Sequence, residues 1–416
     1  MLLRRFGLIL AFVCVTLPAS AEPQYSVLFG QSCFLCHASP TGRSMRSLYG
    51  SQFFAPTYLP PKPMEFEFLE KIKPQLSESV TIGADLRTIW MSQDIGPDTA
   101  GSGLEGPIST NSGSMAQMEG FIYLSLQPSE RFRIHYSHGV ADANGRFEAY
   151  GEADVLPYHG FVKAGQFQEN YGWAFADHTS FVKTGLLQDY NGSYYAAPTP
   201  PHYGVGAEIG LRPYRFDITG SYTNAQTNYP SPFDTQKRWM ARAMYQNGIN
   251  KWGLQGAIGG SYLHAPFKGT DGFSQAQQRY VAWGGFGGIG WQGIQGFFGE
   301  GKLGFGFLTT SILFEYDRKA WMPPGAPAPV TSSYSTTQAS VMVYPGLWVN
   351  AAYDWMDNDN YTEGMEAERT SIGLQIIPLP WVDIQPRYRL YSPVDHTPPF
   401  NEGNYRHAEL QVHFMF

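Results

Sequence analysis

Two thiols and an imidazole sit together near the start of the chain: "QSCFLCHASP" places Cys33 and Cys36 three apart, with His37 directly after the second. The C-x-x-C-H pattern suits the attachment of a c-type haem. Two thioethers from the cysteines would hold the porphyrin while the adjacent histidine supplies an axial nitrogen to iron. Zinc asks for four ligands, usually a second C-x-x-C or a histidine pair, and the sequence nearby offers neither. A thioredoxin-like dithiol asks for a βαβ setting, which is also absent. The expected cofactor is therefore one covalent haem c. For its second axial ligand Met45 is the nearest candidate and Met64 the next. His135, His159, His407 and His413 are alternatives from farther along the chain. Met45 reads equally well as a packing residue. Arg43 and Arg46 are candidates for the haem propionates, because a guanidinium matches a carboxylate; solvated side chains are the plainer reading.

Such a motif needs a body to hold it. Residues 1–21 read as a secretory signal, with Arg4 and Arg5, the apolar "FGLILAFVCVTL" and Ala19-Ser20-Ala21 as a cleavage site. Cys14 lies inside the apolar run, so Cys33 and Cys36 are the cysteines of the exported chain, too few for a disulfide framework. Without Arg4 and Arg5, 26 basic residues face 35 acids, a net charge of −9, which argues against nucleic acid as a partner. Aromatics make up 15% of the chain, alongside 46 glycines, and no run of eighteen apolar residues occurs. That composition fits a transmembrane β-barrel facing outer-membrane lipid.

From residue 79 onward the pattern is strand-like. In "SVTIGADLRTIW" Val80, Ile82, Ala84, Leu86 and Trp90 share one face, with Asp85 and Arg87 on the other. The last residues, "HAELQVHFMF", set Ala408, Leu410, Val412, Phe414 and Phe416 against His407, Glu409, Gln411, His413 and Met415. Lipid outside and water or polar contents inside explain the alternation. Strands are expected near residues 80, 114, 131, 146, 160, 203, 214, 237, 251, 278, 304, 335, 347, 367, 381 and 405. Tight turns at Pro128, Pro157, Pro213, Pro345 and Pro378 all follow even-numbered strands, so all lie at one end. Longer loops, including 169–202 read as an external loop, fall at the other. The expected architecture is all-β: an antiparallel barrel of about sixteen strands over 79–416, with a small helical haem segment over 22–78. In that segment 42–53 and "MEFEFLEKI" read as helical. These 57 residues cannot bury much of a core on their own.

The haem segment "HASPTGRSMRSLYG", with Pro40, Gly42, Arg43 and Gly50, resembles the stretch after the haem histidine in fused monohaem cytochrome–porins of iron-oxidising bacteria. Residues 163–183 are similar to porin-like barrels associated with multihaem cytochromes of metal-respiring bacteria. Both resemblances imply electron exchange across the bacterial outer membrane with a periplasmic or extracellular redox partner, a cytochrome or a metal. They imply an electron carrier, or an extracellular iron oxidase or reductase, rather than a hydrolase or transferase. A transport porin and a scaffold for a separate multihaem cytochrome are the alternatives. "IHYSHGVADANGR" loosely resembles the Ser/His/Asn set of an outer-membrane phospholipase, but His135 and Ser137 share a strand face while His138 points away.

Overall fold

The computed structural model describes residues 23–42, 45–94, 112–140, 147–173, 180–182, 203–224, 237–268, 277–296, 305–321, 329–357, 366–393 and 405–416. Their strands form a single antiparallel sheet. β1 (Gln75–Ser77) is a short lead-in that pairs with the start of β2. The wall begins with β2 (Val80–Asp94), β3 (Ser112–Ser129), β4 (Phe132–Gly139), β5 (Phe147–Leu156) and β6 (Gly160–Gln168). It continues through β7 (Tyr203–Leu211), β8 (Phe216–Asn224), β9 (Lys237–Ile249), β10 (Leu254–Lys268), β11 (Gln277–Trp291) and β12 (Thr309–Trp321). The last five are β13 (Val330–Tyr344), β14 (Leu347–Asp357), β15 (Glu366–Leu379), β16 (Val382–Pro393) and β17 (Tyr405–Met415). β17 pairs with β2, Gln411 opposite Ile89, and the sixteen-strand wall closes.

Alternation assigns each side chain to a face. Along β9, Arg238, Met240, Arg242, Met244 and Gln246 are buried inside, while Trp239 faces out. β17 does the same: His407, Glu409, Gln411 and His413 point in and Leu410 points out. The outward face is an apolar band in which aromatics from adjacent strands meet, such as Trp239 with Tyr262 at 5.0 Å between ring centroids. Inward charges pair with one another. Arg369 lies 2.7 Å from Asp354, Arg389 2.6 Å from Glu409, and Lys163 2.6 Å from Glu208.

The proline-marked turns join β3–β4, β5–β6, β7–β8, β13–β14 and β15–β16, all at the end that also carries the start of β2 and the C-terminus. In outer-membrane barrels that end faces the periplasm. Several strands run farther into the other side than the sequence reading allowed. β10 continues to Lys268 and β12 to Trp321, because ladder pairing persists past the span that the membrane itself requires.

Two segments lie inside the wall. The first is N-terminal: α1 (Pro23–Phe29), a 3-10 turn at Cys33–Leu35 and a π-helical turn at Gly50–Phe54 running into α2 (Ala55–Tyr58), followed at the mouth by α3 (Phe66–Lys71), whose Phe68 meets Trp381 of the β15–β16 turn. The helix expected over 42–53 begins later, because Ala38 N donates to Met45 O and Ser47 N to Cys36 O, holding 45–47 extended against 36–38. The second is a correction. Residues 169–173 and 180–182, expected in an external loop, fold into the lumen, where Trp173, Phe181 and Val182 are buried. Trp173 N donates to Glu315 and Phe181 N to Asp354, so inward carboxylates draw the loop in.

Candidate functional site

Cys33, Cys36 and His37 occupy one tight turn in which Cys36 N and His37 N both donate to Cys33 O, at 3.2 and 3.1 Å. An antiparallel bridge then pairs His37 with Arg46. Gly50 packs on this turn: a Cβ there would lie 2.2 Å from Cys36 O. Gly42, at φ +79°, lies under Cys33, and a Cβ would come within 2.6 Å of the Cys33 Cβ. Two of the residues that carry the cytochrome–porin resemblance therefore have a steric reason at this site.

The turn is seated on the wall at the end that carries the proline turns. Arg133 of β4 donates to Ala38 O, and Arg212, in the β7–β8 turn, donates to Pro40 O. The Arg212 guanidinium also lies 3.9 Å from the Phe34 ring centroid. Arg46 donates to Pro380 O at 2.9 Å in the β15–β16 turn. Deeper in, Gln246 donates to Ser26 Oγ and Gln292 to Leu28 O. An aromatic nest supports α1: Tyr25, Phe29, Phe54 and Tyr58 meet Phe305 and Trp348, with Phe29–Phe305 centroids 5.1 Å apart.

Between this segment and the inward loop lies a small cavity of about 70 Å³. Cys33, Cys36 and His37 all line it. Tyr25, Phe29, Phe54 and Leu59 give it an apolar side, and Asn170, Gly172 and Trp173 of the loop form its far side. Arg46 and Arg242 supply its charge, and no carboxylate lines it among the described residues. His37 also borders a second, polar cavity at the mouth, shared with His159, Arg133 and Arg212.

The chemistry of this donor set fits a haem better than a bare metal ion. Among the described residues no three His, Cys, Asp or Glu side chains converge as a metal-ligand set. Burial pushes the Cys36 thiol up to about 11, despite the lowering effect of Arg46, so the free thiol is not poised as a thiolate. Burial also lowers the Arg46 guanidinium, to about 10. An apolar group with anionic edges answers the lining and the charge.

The other sequence candidates are dispersed. Met45 is buried with Ala38, Phe121 and Tyr123 on the β2–β3 side, and Met64 N bonds Pro56 O; neither lines the cavity of the cysteines. His413 bonds Asp85 at 2.8 Å, His407 stacks near Tyr391, and His135 packs beside Tyr150, so these three are engaged with the wall. Arg43 and Asn144 lie outside the described residues. His135 and Ser137 point inward and His138 outward, as strand geometry requires. The sequence reading missed Trp173, Asn170, Arg242, Arg133 and Arg212. Arg242 could have been placed inside by the alternation of "RWMARAMYQ", but nothing local says what it faces.

No protein-family model matches the chain, and no curated protein matches it. Solved structures do. The chain is similar to OprB of Pseudomonas putida, with a TM-score of 0.56 at 11% identity over 84% of this chain and 96% of that one. It is similar to an anion-selective porin from Comamonas acidovorans, with a TM-score of 0.52 at 10% identity over 81% and 99%. It is also similar to OmpT, an outer-membrane protein of Vibrio cholerae, with a TM-score of 0.51 at 10% identity over 83% and 100%. At such identities the likeness concerns the fold, a porin-like antiparallel barrel.

Proposed function

We propose that this outer-membrane barrel carries one haem c in its lumen, bound through Cys33 and Cys36 with His37 toward iron, and exchanges electrons across the membrane. The observation that carries the reading is that all three side chains of the C-x-x-C-H motif line a single, largely apolar cavity. The haem, when bound, supplies one-electron exchange at its iron. The chain's residues do the rest. The aromatic nest around α1 excludes water, the arginines of the wall hold the turn in place, and the Gly42 and Gly50 contacts keep both cysteines on one surface. α1 and the inward loop meet in the lumen, Val27 packing in one cluster with Trp173 and Phe181, so the cavity lies between the two sides of the barrel. The partners implied are a periplasmic or extracellular cytochrome or metal ion.

The test is an absorption spectrum of the purified protein, oxidised and then reduced with dithionite, beside Cys33→Ala/Cys36→Ala. A sharp reduced band that survives acid-acetone extraction and is lost in the variant supports the reading. Absence of haem from protein matured with an intact attachment system overturns it.

A second reading, a transport porin with 23–78 as its plug, is favoured by the porin fold of the wall. It expects ion conductance in planar bilayers that survives loss of both cysteines. The haem reading expects low conductance in the wild type.

A further inference from the structure

Arg242 stands on the inward face of β9, only 6% exposed, and lines the cavity of the cysteines from the wall side. Its Nε donates to Gly172 O of the inward loop at 3.1 Å, and its Nη2 points at Met244 Sδ, a weak acceptor, at 3.5 Å. Its guanidinium lies over the Phe286 ring at 4.7 Å. Among the described residues it makes no ion pair, unlike Arg238, the neighbouring inward arginine on the same strand, which pairs with Glu169. A buried guanidinium without a counter-charge is costly, and a cavity lined by two arginines and no carboxylate is built for an anion.

We infer that Arg242 binds a carboxylate of the group held in this cavity, making the barrel wall, and not the N-terminal segment alone, part of the cofactor site. The inference rests on the haem reading above, and the carboxylate is then a haem propionate. Arg46 is the second cation of the same cavity, contributed by the N-terminal segment. The guanidinium fork suits a carboxylate geometrically, and Gly172 O fixes the fork's orientation. The arrangement joins three separate stretches of chain at one ligand: the cysteine turn, strand β9 and the inward loop. It also sets a potential. A cation near the haem favours the reduced state, which carries one positive charge fewer, and its removal leaves a propionate free to take up a proton.

The experiment uses the full-length haem-loaded protein in detergent, as wild type, Arg242→Gln and Arg242→Lys. Covalent haem per chain is measured first, and the midpoint potential is then titrated spectroelectrochemically across the acidic to neutral range. We expect haem at the wild-type level in all three. Arg242→Gln should show a lower potential that falls further as pH rises through the freed propionate, and Arg242→Lys should restore much of the wild-type behaviour. A role confined to holding the loop would raise the protease sensitivity of the loop and leave the pH dependence flat. An unchanged potential and pH profile in Arg242→Gln overturns the inference while the haem reading stands. Absence of haem from the wild type overturns the reading beneath it. Should Arg242→Gln not fold, resonance Raman of Arg242→Lys decides. A shifted propionate bending band supports the contact, and an identical band overturns it.

Discussion

The wall and the N-terminal segment inside it are held together by different means. The wall is self-sufficient: every strand from β2 to β17 is hydrogen-bonded on both edges, and alternation sorts its side chains between lipid and lumen. The N-terminal segment has short helical turns, one bridge and few ladders of its own. Its order comes from the wall, through Arg133, Arg212, Gln246, Gln292 and the Pro380 carbonyl. A closed sheet can be specified by a pattern repeated along each strand. A short segment that cannot bury a core takes its shape from whatever encloses it.

The sharpest break in that comparison is Cys33→Ala/Cys36→Ala. It should abolish covalent haem while leaving a heat-modifiable barrel on unboiled gels, since the backbone ladders of the wall close without either cysteine; a barrel lost along with the haem would show that the wall depends on its contents. Next comes Glu409→Gln. It removes the carboxylate 2.6 Å from the fully buried Arg389, and breaking such a buried pair should cost about 3–5 kcal/mol, read as a lower urea midpoint. On the opposite face, Ile312→Arg sets a charge among the lipid-facing residues of β12. A cost of about 2–4 kcal/mol is expected if the site lies near the bilayer midplane, measured by folding into vesicles. Gly346→Ala tests the junction of the two regions. At φ +77°, with Pro61 Cδ 2.8 Å from a would-be Cβ, it should cost about 1–2 kcal/mol. The loss should appear as faster proteolysis of 23–78 rather than as unfolding of the wall. The smallest effect is expected for Lys73→Ala, whose exposed pair with Glu70 at 3.3 Å should be worth no more than about 0.5 kcal/mol in thermal unfolding.

The contrast also explains what the sequence revealed. Strand number, the parity of the proline turns and the faces of β2 and β17 were legible because period-2 patterning is local and repeats sixteen times over. Cys33, Cys36 and His37 could be singled out because their spacing falls within five residues, and the structure sets all three on one cavity. The cavity was not. Trp173 and Asn170 reach it through a loop whose composition reads as external, and what draws that loop inward is Glu315 and Asp354, more than 140 residues away in sequence. Arg242 obeys the strand alternation like any lumenal residue, and its place at the cavity follows from closure of the sheet. Met45 shows the reverse: near His37 in sequence, it is turned by the 36–38/45–47 pairing toward Phe121 and Tyr123.

The seam between β2 and β17 has a bearing on how the molecule is made. Ala84 and Phe416 exchange backbone hydrogen bonds there, and beside them Gly83 is so close to Met45 that a Cβ would lie 2.8 Å from the Met45 Cγ. The N-terminal segment is thus lodged against the joint that strand β17 completes. Contacts spanning more than 300 residues form late, so the N-terminal segment must already be in place when the zipper closes. Assembly is thereby given an order: seating of the segment first, and then the final strand as the latch.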